Sequence, residues 1–112
     1  MNIAIIGTGY VGLVSGVCFS EMGIDVCCID SNSAKIEALN QAIVPIYEPG
    51  IEAMLKRNIA AQRLHFTTSV AEGIAHAEVI FIAVGTPSSP SGGVDLQYII
   101  SAAEQIGSSL ML

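Results

Sequence analysis

The sequence predicts an α/β fold: a Rossmann-type doubly wound parallel sheet, incomplete, with about four parallel strands in the order 3-2-1-4. Three observations carry that prediction. Short apolar runs rich in Val, Ile and Ala recur along the 112 residues, as strands buried on both faces require. A helical segment separates each strand from the next, which makes the strands parallel with right-handed crossovers. A glycine-rich turn stands where the first strand hands over to the first helix.

Taken in order, Asn2–Ile6 is an apolar run that stops at Gly7 and reads as the first strand. A helix follows from Val11 to about Met22, with Val11, Val14, Cys18 and Met22 near one face. Gly23 ends it. Asp25–Ile29 is the second strand, with Asp30 at its carboxyl end. Ser33 is expected to cap a helix reaching about Ala42, with Glu37 as its capping-box partner. The segment from Val44 to Gly50 holds Pro45 and Pro49 and takes an extended, turn-like path. A further helix runs from near Gly50 to Ala60, and Leu64–Thr67 is a short third strand. Ser69 caps a brief helix through Ala75. Glu78–Val84 is the fourth strand, so apolar that neighbours are expected on both of its sides. Gly85–Gly93 is a loop of Gly, Pro and Ser, and Asp95 caps a last helix through about Leu110. With no closing strand after it, residues 1–112 are expected to be the N-terminal part of a cofactor-binding domain within a longer chain.

Four basic residues stand against ten acidic ones, a net charge of -6, so there is no basic footprint for nucleic acid. No apolar run approaches the length of a membrane span. The first twenty-odd residues lack a basic leader, and Gly7, Gly9 and Gly12 interrupt them, unlike a signal peptide. Cys18, Cys27 and Cys28 show no metal spacing; they point to a reducing compartment, hence a cytoplasmic protein. Cys27 and Cys28 should face opposite sides of a strand, and all three are expected to be small buried hydrophobes.

Gly7-Thr8-Gly9-Tyr10-Val11-Gly12 fits G-x-G-x-x-G between a strand and a helix, the context that gives the pattern its meaning. Gly7 permits the tight turn, Gly9 lets the backbone approach a pyrophosphate, and Gly12 lets the helix pack on the strand. The helix start offers unpaired N–H groups and the positive end of its dipole to the phosphates. Asp30, eighteen residues after Gly12, can accept hydrogen bonds from both hydroxyls of an adenosine ribose and would repel a 2′-phosphate. No arginine follows it, so NAD is favoured over NADP, with FAD a distant third. Lys35, one turn into the next helix, can lie beside that ribose or the phosphate. In a 3-2-1-4 sheet the crevice outside strands one and four is the switch point where ligands bind. Its second wall is then Val84-Gly85-Thr86-Pro87-Ser88. Glu48 and Asp95 read more simply as helix-starting residues, and His65 and His76 as surface or packing residues.

The same residues resemble a known family. Gly7-Thr8-Gly9-Tyr10-Val11-Gly12-Leu13, Pro45-Ile46-Tyr47-Glu48-Pro49-Gly50, Arg63-Leu64-His65-Phe66-Thr67-Thr68, and Val84-Gly85-Thr86-Pro87 followed by Asp95-Leu96-Gln97-Tyr98 are similar, in that order, to motifs of the UDP-glucose/GDP-mannose dehydrogenases. The likeness runs the whole length. It departs from the family after Thr-Pro, where Ser88-Ser89-Pro90-Ser91 replaces a charged stretch.

The resemblance implies a cytoplasmic, polysaccharide-precursor oxidoreductase that takes a nucleotide sugar's C6 alcohol to a carboxylate with two NAD. It also implies a homo-oligomer when full length. The family's catalytic cysteine, lysine and asparagine are expected beyond Leu112, so none of the three cysteines here is assigned as a nucleophile. The cofactor contacts it carries over are Gly7 to Gly12, with Tyr10 and Val11, then Asp30, Lys35 and Val84 to Ser88. The competing reading, from a different class, is a non-catalytic NAD-binding module.

Overall fold

β1 (Asn2–Ile6) is buried on both faces, and the rest of the fold is built outward from it. The structure is a computed structural model, and it describes residues 1–45, 48–84 and 97–110. β1 is followed by α1 (Tyr10–Glu21), β2 (Asp25–Ile29), α2 (Ser33–Asn40), α3 (Ile51–Ala60), β3 (Leu64–Thr67), α4 (Val70–Ile74), β4 (Val79–Ile82) and α5 (Gln97–Leu110). The four strands form one parallel sheet in the order β3-β2-β1-β4, as expected. Ile3 pairs with Val26 on one side and with Val79 on the other.

Alternation along the strands sends side chains to two cores. Ile3 and Ile5 join Cys28, Leu13 of α1, Leu39 of α2 and Leu55 of α3 on one face. Ala4 and Ile6 join Ile29, Ile74 and Ala102 on the other, under α4 and α5. Helices therefore cover opposite faces on either side of the β1–β4 pair, which makes the carboxyl ends of those strands the switch point.

Several local expectations need correction. The buried face of α1 is Gly12, Leu13, Gly16, Val17 and Ser20, while Val11 and Met22 are 67% and 74% exposed. Glycine is needed within that face because the helix lies close to the sheet: a Cβ on Gly16 would meet Cys28 Sγ at 2.6 Å. Cys28 is buried and Cys27 half-buried, on opposite faces as expected, but Cys18 is exposed rather than packed. α2 is capped by Asn32, whose side chain accepts from Lys35 N, and not by Ser33; from that cap Glu37 stands two positions too far along to close a capping box. α2 also stops at Asn40, with Ala42 already at positive φ.

Other elements fall where expected. α1 ends at Gly23, with Ile24 N–H donating to the Phe19 carbonyl. Ser69 Oγ accepts from Glu72 N to cap α4. β4 is shorter than expected and is the sheet's outer strand among the described residues. Ile46, Tyr47, Gly85 to Leu96 and the cap assigned to Asp95 lie outside the described residues.

Candidate cofactor site

The carboxyl ends of β1, β2 and β3 are tied together by backbone bonds. Gly7 N–H donates to the Ile29 carbonyl (2.7 Å), and Asp30 N–H to the Thr67 carbonyl (3.2 Å). On the other side Ala83 N–H donates to the Ile6 carbonyl (2.7 Å). Gly7 turns the chain at φ +110, where a Cβ would lie 2.5 Å from the Ala83 carbonyl oxygen. Gly9 differs: its φ is -71 and a Cβ there would meet nothing within 4 Å. Gly12 packs so that a Cβ would run into the Gly7 carbonyl.

Hydrogen bonding within α1 begins with Leu13 N–H to the Gly9 carbonyl at 2.9 Å. The N–H groups of Tyr10, Val11 and Gly12 therefore have no partner inside the helix, and no side chain caps it. A pyrophosphate fits such a helix start, with space above Gly9.

Beside this turn lies a cleft of about 440 Å³. Of the expected residues, Gly7, Thr8, Gly9, Asp30, Lys35 and Val84 line it. Tyr10, Val11 and Gly12 do not; the exposed Tyr10 hydroxyl donates instead to Glu48 Oε2 at 3.2 Å. The contact with Glu48 raises the Tyr10 phenol above its usual range. Gly85, Thr86, Pro87 and Ser88 lie outside the described residues. Sequence reasoning missed Thr68 and Val70, just past β3, and Ser101 and Gln105 on α5, which also line the cleft. Helical spacing of small and polar residues one and two turns beyond Tyr98 was the available signal for the last two.

Asp30 is held from within the protein. Thr8 Oγ1 and Thr8 N both donate to Asp30 Oδ2, at 2.6 and 3.1 Å, and Asn32 N donates to Oδ1 at 3.0 Å. Lys35 Nζ lies 4.0 Å from Oδ2. Partial burial pushes this carboxyl up, but the Thr8 hydroxyl, the two N–H donors and the Lys35 charge together hold it below its ordinary value. Roughly four lone-pair positions on a carboxylate minus these three donors leaves one, on Oδ1. Asp30 thus faces the cleft already held by Thr8 and Asn32, with Lys35 beside it.

The two cysteines of β2 carry no sign of activation. Burial pushes the Cys27 thiol up to about 11 and raises Cys28 further still. His65 and His76 are both exposed and border a separate cleft near the starts of β1 and β2. Among the described residues no group of three His, Cys, Asp or Glu side chains can hold a metal ion. No described helix is long and apolar enough to cross a membrane.

A doubly wound parallel sheet, a glycine turn opening a helix at its switch point, and a held carboxylate after the second strand define a dinucleotide-binding domain of the Rossmann type. The chain belongs to the UDP-glucose/GDP-mannose dehydrogenase family: residues 1–111 match the model of that family's NAD-binding domain. It is 48% identical over 110 residues to UDP-glucose 6-dehydrogenase from Pseudomonas aeruginosa, covering 98% of this chain and 24% of that protein. The crystal structure of a ternary complex of GDP-mannose dehydrogenase from Pseudomonas aeruginosa superposes with a TM-score of 0.95 at 42% identity, over 98% of this chain and 25% of that one. The UDP-glucose dehydrogenase of Pyrobaculum islandicum gives 0.92 at 40% identity, over 96% of this chain and 25% of that one. The chain thus spans about a quarter of the length of the relatives it matches.

Proposed function

We propose that this chain is the NAD-binding part of a nucleotide-sugar 6-dehydrogenase that oxidises UDP-glucose to UDP-glucuronate with two NAD. The observation that carries the reading is the pairing of an open phosphate turn at Gly9 with a carboxylate at Asp30 fixed beside Lys35. When bound, NAD supplies the hydride acceptor. The chain's own residues bind and orient it: the start of α1 takes the pyrophosphate, Asp30 and Lys35 the adenosine ribose, and Val84, which lines the same cleft, the pyrophosphate or nicotinamide ribose. The groups that handle the sugar are assigned outside these residues, since burial raises the thiols of Cys27 and Cys28 and Cys18 does not line the cleft. The likeness to UDP-glucose 6-dehydrogenase from Pseudomonas aeruginosa, at 48% identity, supports UDP-glucose as the sugar. A cytoplasmic, homo-oligomeric enzyme is part of the same proposal.

The test is NAD and NADP titration of the chain with and without Asp30→Ala, followed by assays of the full-length protein with UDP-glucose and GDP-mannose. Losing a charged hydrogen bond should cost about 1–3 kcal/mol of NAD binding and narrow the preference for NAD over NADP. NAD reduction should follow UDP-glucose. Equal cofactor binding by Asp30→Ala would remove the ribose assignment, and turnover of GDP-mannose alone would transfer the reading to that sugar.

A further inference from the structure

Two of the donors on Asp30 come from one residue. Thr8 is fully buried, yet it is polar and lies beneath the phosphate turn. Its hydroxyl and its N–H reach the same carboxylate oxygen, Oδ2. The 2.6 Å hydroxyl contact has the length of a charge-assisted O–H···O⁻ bond. An aspartate's terminal torsion is broad when left alone. Two donors from a β-branched residue, itself limited to few rotamers, restrict that torsion.

We infer that Thr8 is the positioning residue for cofactor selectivity: it clamps Asp30 Oδ2 so that the remaining acceptor position, on Oδ1, meets a ribose hydroxyl. The clamp also holds the carboxylate stationary at the place where a 2′-phosphate would have to sit. Thr8 thus acts through Asp30 and not by touching the cofactor. The inference rests on the assignment of Asp30 to the adenosine ribose made above.

Two measurements on the full chain separate the clamp from that assignment. The first uses no cofactor: the Asp30 carboxyl carbon is titrated by NMR in the parent chain, Thr8→Val and Thr8→Ser. Removing the hydroxyl in Thr8→Val should raise the Asp30 titration midpoint, and Thr8→Ser should restore it. An unchanged midpoint in a folded Thr8→Val chain overturns the clamp. The second is a double-mutant cycle on NAD and NADP binding. Thr8→Val should weaken NAD binding about tenfold, the scale of one lost hydrogen bond to a charge, and narrow the NAD/NADP ratio. Thr8→Ser should stay near the parent. In an Asp30→Ala background, Thr8→Val should change nothing further. A full loss in that background overturns action through Asp30. If Asp30→Ala binds both cofactors like the parent, the ribose assignment and the selectivity role fall together, while the carboxyl titration still reports the clamp. Should Thr8→Val fail to fold, Thr8→Ala against Thr8→Ser supplies the same comparison.

Discussion

Gly7 and Gly9 stand two positions apart and are glycine for opposite reasons. Gly7 is required by the fold: its φ is +110 and a Cβ would press on the Ala83 carbonyl. Gly7→Ala should therefore cost about 2 kcal/mol or more of stability, from left-handed strain plus the contact. Gly9 has ordinary backbone angles and empty space around it. Gly9→Val should leave the melting temperature nearly unchanged and abolish NAD binding, because the side chain fills the space the pyrophosphate needs. Thermal melts and NAD titration of both variants check this; a folded Gly9→Val chain that binds NAD normally would take the phosphate turn out of the site. The glycine spacing and Asp30 were legible because each rests on short-range pattern after a strand. The role of Thr8 was not, since the x of G-x-G carries no residue preference in the pattern. Its meaning appears only once Asp30 is brought beside it from 22 positions away.

Among the elements, α1 shows where apolar periodicity misleads. Val11 and Met22, at or just past its two ends, are exposed, while its buried face combines Leu13 and Val17 with Gly12, Gly16 and Ser20, whose small size permits close approach to the sheet. The far end of α1 is locked to α3 by a network no spacing rule would have found. Glu21 accepts from the Arg57 guanidinium through both oxygens and from Asn58 Nδ2, and Asn58 Oδ1 in turn accepts from Arg63. Asn58 is fully buried and all its polar atoms are used. The Arg57 contact, then the Asn58 bond, lowers the Glu21 carboxyl from the ordinary 4.5 to about 2. A carboxyl lowered in the folded state stabilises above its unfolded value and loses that contribution as pH falls through the folded one. Glu21→Gln should therefore be less stable than the parent at pH 7. In denaturant melts at stepped pH, the difference should persist down to about 4.5 and shrink towards pH 2. A difference independent of pH over that range would mean the ion pair contributes nothing through its charge.

At the scale of the molecule, strand order and the two-sided core were readable from the alternation of apolar runs with helices. Helix ends were less so, because Asn32 and Ser33 are both good caps and the tertiary path chose between them. The strong apolarity of β4 was expected to mean neighbours on both sides. Among the described residues only β1 pairs with it, and Val79, Phe81 and Ile82 are each about 40% exposed. An uncovered apolar edge strand recruits other strands. The chain should associate as its concentration rises in sedimentation experiments, and Phe81→Lys should reduce that; a chain monomeric at all concentrations would show the edge to be covered. The central place of β1 also has a consequence for the order of events in synthesis. Asn2 accepts from Glu78 N–H through its carbonyl, across 76 intervening steps of chain. During synthesis β1 can close with β2 early, but at about 5–20 residues per second it waits roughly 4–15 s for its second neighbour. During that wait a central strand behaves as an edge, and the nascent chain relies on whatever shields it until β4 arrives.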